Sequence, residues 1–190
     1  MRIILIIVAM TLSTLGTASR LSGAVTIYET RAAWEAAVQD YSTINFTELP
    51  ENTWITNQYA DLGVQFTDGS DQVYYNTNGF ADGYGLNGAF DESTLEFNAP
   101  MSTLAMSFPG TLNIKLSWMG AIFYTGTVFG GSGYGHFVGV VSTQPFDEIF
   151  LYDPSGGLFV DNLYFGPPIP APSVLGLLGI AVLFNRGRRR

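Results

Sequence analysis

The feature that most limits what this chain can fold into is a recurrence. From residue 40 onward, short runs rich in Val, Ile, Phe, Tyr and Thr return again and again, each closed off by Gly, Asn, Asp or Pro. The runs are 43–47, 63–67, 72–76, 94–98, 103–108, 113–118, 121–129, 136–142, 148–152 and 158–165, with residues 26–28 ahead of them. β-Branched and aromatic side chains suit a pleated, half-buried surface, and turn residues at this spacing predict short strands packed face to face. The expectation is an all-β chain, a β-sandwich of the jelly-roll kind. Alternation is clearest where Leu112, Ile114, Leu116 and Trp118 point one way and Asn113, Lys115 and Ser117 the other. One short helix is expected over residues 31–39, where Ala32, Ala33, Ala36 and Ala37 favour helix and Thr30 can cap it. The glycine-rich stretch 126–139 lacks the strand-then-helix context of a nucleotide loop and reads as a hairpin turn. Trp34 and Trp118 are expected in the core and Trp54 at the surface.

There is no cysteine, so packing alone must hold the fold. Residues 25–166 are enough for one hydrophobic core and read as one domain. Residues 1–24 have the form of an export signal: Arg2, an apolar stretch too short to span a bilayer, then small residues. Residues 167–173 hold four prolines and cannot join a helix or ladder, so they read as a stiff spacer. A hydrophobic helix is expected over 174–185, followed by an Arg-rich cytoplasmic end, 186–190. At 1.5 Å per residue that helix reaches roughly 18 Å, against a hydrocarbon layer of roughly 30 Å, which makes it a marginal anchor.

Charge divides sharply along the chain. All sixteen Asp and Glu fall within 25–166, where only Arg31 and Lys115 are basic, so this part carries −14 against −8 for the whole. Such a surface repels nucleic acid and anionic lipid and suits divalent cations or neutral glycans. Zinc and nucleophile chemistry find little support in a chain whose one histidine, His136, sits in a glycine-rich stretch without a Gly-x-Ser-x-Gly elbow nearby. Asp91-Glu92 and Asp147-Glu148 are adjacent in sequence, and strand neighbours point to opposite faces, so neither pair can flank one glycosidic bond. A glycosidase would need a pair assembled across strands, such as Glu48 with Asp161. The acidic group Asp68, Asp71, Asp82, Asn87, Asp91 and Glu92 lacks EF-hand spacing and reads as a solvated loop. Aromatic rings stack on the apolar face of a sugar while amides fix its hydroxyls, which singles out Trp54, Tyr75, Asn76 and Tyr84 as candidate glycan-binding residues.

Two resemblances add to this. Pro170-Ala171-Pro172-Ser173, the apolar stretch containing Leu-Gly-Leu-Leu-Gly, and the terminal Arg cluster resemble the PEP-CTERM tail. That resemblance implies export in a Gram-negative bacterium, transient anchoring in the inner membrane, sorting by an exosortase-type enzyme, and a place on the outer surface or in the extracellular matrix. In the family the recognition element is Pro-Glu-Pro; here Ala171 stands at the Glu position. The second resemblance rests on residues 44–50, 55–66, 145–149 and 159–163, which are similar to domains that commonly precede such tails. It implies a lectin-like or carbohydrate-binding-like jelly roll, non-catalytic, with extracellular polysaccharide as partner. It also implies a structural calcium, for which Glu48 and Asp161, with Asp61, are the candidate ligands. A structural matrix protein without a specific ligand and a carbohydrate-active enzyme are the alternatives.

Overall fold

The computed structural model describes residues 24–88, 92–130 and 135–168. The expected export signal, the sorting motif Pro170, Ala171, Pro172 and Ser173, the hydrophobic helix and the Arg-rich end lie outside the described residues. Among the described residues no helix is long and apolar enough to cross a membrane.

Ten strands follow in order: β1 Val25–Tyr28, β2 Ser42–Ile44, β3 Val64–Phe66, β4 Asp71–Tyr75, β5 Tyr84–Gly88, β6 Glu92–Phe108, β7 Thr111–Trp118, β8 Ala121–Phe129, β9 His136–Tyr152 and β10 Leu158–Gly166. The helix α1 spans Arg31–Glu35, and a 3₁₀ turn occupies Ala60–Leu62. All strand pairs are antiparallel and form one connected sheet with the path β4-β5-β10-β6-β9-β7-β8. β1 joins β9, β2 joins β10 and β3 joins β6.

Register explains how one sheet makes two layers. The first part of β6 pairs with the last part of β9, from Glu92↔Tyr152 to Glu96↔Glu148; beyond the shifts, Thr103↔Val141 runs on to Phe108↔His136. Between these regions β6 carries residues 97–100 against Asp147 alone, and β9 carries 142–145 against Ser102 alone. Extra residues bend a strand, and Pro100 and Pro145, which lack N–H groups, sit within them. Both long strands therefore turn together and cross from one layer to the other. β3, β7 and β8 attach to the first layer; β1, β10, β2, β5 and β4 attach to the second. Leu95, Ile114, Leu116 and Ile149 from the first meet Leu104, Val138, Val160 and Phe165 from the second in a single buried cluster. Strands distant in sequence lie side by side, β10 between β5 and β6 and β9 between β6 and β7. This is the all-β, jelly-roll sandwich expected from the sequence.

Several details depart from expectation. α1 stops at Glu35, because Ala37 N–H bonds back to Trp34 and the chain turns so that Tyr41 can stack on Trp34, ring centres 5.1 Å apart. Trp118 is half-buried and Ser117 buried; beside them β8 carries Phe123 as an extra residue, so its register with β7 shifts between Leu116 and Ser117 while that of β7 with β9 runs on. Of the stretch expected to be a hairpin turn, 126–129 end β8 and 136–139 begin β9, and among the described residues these two strands do not pair with each other; residues 131–134 lie outside the described residues.

α1 covers part of the second layer's outer face. Trp34 is fully buried there with Ala105 and Tyr164, and its indole lies directly on Gly139. Its Nε1 donates to the Val140 carbonyl at 3.3 Å. Among the described residues the remainder of that face carries no helix.

Candidate functional site

Residues 52–55 run antiparallel along the edge of β4, with Ile55 N–H donating to Asp71 O and Val73 N–H to Thr53 O. Trp54 and Gln72 are thereby the closely spaced, non-hydrogen-bonded pair, whose side chains approach most nearly. Ile55 is buried, so Trp54 on the alternate face is turned outward and is 53% exposed. Gln72 faces Asn87 on β5, and Asn87 faces Phe159 on β10. Trp54, Gln72, Asn87 and Phe159 thus form a straight row on the outer face, two rings flanking two amides. At about 4.8 Å per strand the row is about 14 Å long. Gln72, Asn87 and Phe159 are half-buried, and among the described residues neither amide side chain is held by a hydrogen bond to the protein.

Tyr74, two residues along β4 from Gln72, extends the same face. Its ring centre lies 5.5 Å from that of Phe159 and 6.3 Å from that of Phe80. The Phe80 ring rests over Gly85, where any Cβ would stand 2.6 Å from it, so glycine is required in the middle of β5. A second row follows on β10: Asp161 faces Ser107, which faces Phe137. These three floor a cavity of about 470 Å³, walled by Arg31 and Tyr164 on one side and by Asn78 and Phe80 on the other.

Asp161 is buried; its Oδ2 accepts from Ala81 N–H at 2.9 Å and its Oδ1 from Asn162 Nδ2 at 2.7 Å. Desolvation raises its pKa, opposed by the Ala81 hydrogen bond. Arg31 donates through Nε to Glu35 at 2.7 Å and through Nη1 to the Tyr164 hydroxyl at 2.9 Å, which fixes the guanidinium at the cavity mouth. The Glu35 hydrogen bond raises the Arg31 pKa, and desolvation raises that of Tyr164. A carboxylate, a guanidinium, amides and aromatic walls together can take several hydroxyls and one apolar ring face.

No protein family and no curated protein matches this chain. Solved structures give remote similarity. A mutant of a family 29 carbohydrate-binding module shares 16% identity over 70% of this chain and 99% of its own, with a TM-score of 0.45. A second mutant of such a module shares 18% over 68% and 92%, TM-score 0.44, and another structure of the family shares 16% over 68% and 89%, TM-score 0.44.

Of the sequence-predicted glycan residues, Trp54 lies on the outer face. Tyr75 and Tyr84 face each other in register on the opposite face, that of Val73 and Leu86, with ring centres 4.8 Å apart. Asn76 closes a turn, its Oδ1 accepting from Asn78 N–H at 3.0 Å. Tyr74, Gln72, Asn87 and Phe159 escaped the sequence reading, although the alternation of β4 places Tyr74 with Gln72.

Calcium takes six to eight oxygen ligands. Glu48 stands near the Tyr59 hydroxyl, whose pKa is raised by burial first and by the Glu48 charge second. Asp61 is exposed in the 3₁₀ turn, and Asp161 is engaged at the cavity. Among the described residues no three Asp, Glu, His or Cys side chains form a group able to hold a metal ion, so Glu48, Asp61 and Asp161 do not meet as such a group. The donor set does not fit a three-carboxylate calcium site there. Carboxylates that do oppose each other across strands are Glu96 and Glu148, beside Asp147 at a shallow cavity of about 290 Å³ on the first layer. The acidic group expected to be a solvated loop is split up: Asn87 joins the outer row, and Asp71 is fully buried.

Proposed function

We propose that this is an exported, non-catalytic surface or extracellular-matrix protein whose sandwich holds a neutral polysaccharide along the row Trp54, Gln72, Asn87 and Phe159. One observation carries the reading: two aromatic side chains flank two amides, in register, on the part of the outer face beside α1, and among the described residues neither amide is hydrogen-bonded to the protein. Rings stack on the C–H faces of pyranoses, and amides both donate to and accept from hydroxyls. A row of about 14 Å accommodates a short stretch of chain rather than a single sugar. The surrounding charge of −14 disfavours anionic polymers, leaving neutral glycans as the matching class. Export by residues 1–24, transient inner-membrane anchoring by 174–185 and sorting by an exosortase-type enzyme at the Pro-Ala-Pro variant complete the proposal, on the strength of the tail's resemblance.

The test is electrophoresis of the purified chain through native gels containing β-glucan, xylan or mannan. Retardation by at least one polymer, lost in Trp54→Ala, is expected. Uniform mobility in every gel overturns glycan binding and leaves a structural matrix role; release of new reducing ends from any polymer overturns the non-catalytic reading.

A further inference from the structure

Two acidic side chains at the start of β4, unused above, present an electrostatic problem. Asp71 lies on the inward face with Val73 and is 0% exposed. Its Oδ2 accepts from Ser93 Oγ at 2.8 Å, but among the described residues its Oδ1 has no hydrogen-bond partner. A buried carboxylate oxygen left unpaired is costly to a fold. Asp68 compounds the problem. Its Oδ2 accepts from Thr94 N–H at 3.1 Å, and its Oδ1 from both Ser70 N–H at 2.7 Å and Ser70 Oγ at 2.8 Å. The two carboxylates therefore grip successive residues, Ser93 and Thr94, of β6. They lie close enough for the Asp68 charge to disfavour ionisation of Asp71, a smaller effect than desolvation, which comes first.

A third oxygen converges on the same place. Gly88 sits directly across from Asp71 in register, and the Glu92 carbonyl oxygen stands 2.8 Å from where a Gly88 Cβ would be. The missing side chain admits a backbone acceptor to the side on which Asp71 presents its carboxylate. Two carboxylates, a hydroxyl and a carbonyl gather at the rim of the sandwich, and among the described residues neither carboxylate has an ion-pair partner. Arg31 is the nearest thing to a free cation in this layer, and it is committed to Glu35 and Tyr164.

We propose that Asp71 and Asp68, with the Glu92 carbonyl and water, bind a hard divalent cation of the calcium class that ties β4 to the start of β6. Hard oxygen donors of mixed carboxylate and carbonyl type are what such an ion takes, and only two carboxylate charges place the affinity in the weak range of extracellular modules, about 10⁻⁴–10⁻³ M. The ion would occupy the orphaned Oδ1, compensate the carboxylate charge that burial otherwise disfavours, and brace the strand that carries Gln72 and Tyr74 on its other face. The site is independent of the glycan reading.

The experiment is thermal melting of the purified full chain in EGTA and in about 5 mM calcium, with calorimetric titration for stoichiometry. Binding to the folded state alone predicts a midpoint rise of about 3–8 °C and one ion per chain. Asp71→Asn and, because that variant alters a buried group, the half-exposed Asp68→Asn should each remove most of the rise. Glu48→Gln and Asp161→Asn should retain it. No midpoint change with calcium overturns the site, and so does a rise that survives both Asp71→Asn and Asp68→Asn.

Discussion

Gly139 is where the packing of α1 is most open to attack. It lies in β9 opposite Ala105 of β6, and a Cβ built on it would come within 2.4 Å of Trp34 Cδ1, 2.6 Å of Cγ and 2.7 Å of Cβ. These are the stem and near edge of a rigid side chain, already enclosed by Tyr41, Phe137 and Tyr164. Because Trp34 Cβ is itself within 2.7 Å, turning the indole alone does not clear the contact. Gly139→Ala should therefore act as overpacking and cost about 1–3 kcal/mol, despite the gain of a residue better suited to a strand. Gly139 is not among the positive-φ glycines, so backbone strain adds nothing. The decisive assay is a double-mutant cycle by urea denaturation. Trp34→Ala alone should cost about 3–5 kcal/mol as a large buried aromatic. In that background the clash disappears, and Gly139→Ala should become neutral or slightly stabilising, a coupling of at least ~1 kcal/mol. Equal costs of Gly139→Ala in both backgrounds would refute the steric account.

Asp71 and the like-charge pair supply further predictions. Burial, with the Asp68 charge second and Ser93 opposing, pushes the Asp71 carboxyl up to about 8. In the unfolded chain it ionises near pH 4, so between about pH 4 and 8 the folded state holds a proton the unfolded state has lost, and stability falls as pH rises. In EGTA, urea melts of the wild type minus those of Asp71→Asn should decline by on the order of 5 kcal/mol across that window and level off above it; a flat difference counts against the buried-acid assignment. Glu96 and Glu148 stand directly opposite each other in register, and like charges so placed repel. Glu96→Gln should raise stability by about 0.2–1 kcal/mol, less at high salt, and a loss of stability on denaturant titration would contradict this.

Much of the fold was legible because period and turn chemistry are local. The alternation of Leu112, Ile114 and Leu116 identified β7, and Trp118, its last residue, is half-buried at the strand's end, where packing depends on neighbours distant in sequence. β5 was missed because Tyr84–Gly88 contains two glycines and an asparagine, and Gly85 is there for Phe80, a contact made in three dimensions. Ala99-Pro100 and Gln144-Pro145 fall between the expected strand runs, yet they lie in the bulges through which β6 and β9 continue into the second layer. At the site, alternation separates Tyr74 from Tyr75, and register assigns their faces: Tyr75 shares that of Val73 and Leu86 and is exposed at the strand's end, while Tyr74 shares the outer face with Gln72. The row across the sheet joins residues from four segments, and only the register of those segments brings Trp54, Gln72, Asn87 and Phe159 into line.

That alignment is what a binding measurement can address face by face. Once a retarding polymer is found, its soluble oligosaccharide can be titrated calorimetrically into the wild type, Trp54→Ala, Gln72→Ala and Tyr75→Ala. The outer-row account predicts at least a roughly tenfold loss of affinity for Trp54→Ala, a smaller loss for Gln72→Ala and unchanged affinity for Tyr75→Ala, whose ring lies on the opposite face. Unchanged affinity in Trp54→Ala, with loss in Tyr75→Ala, would contradict it.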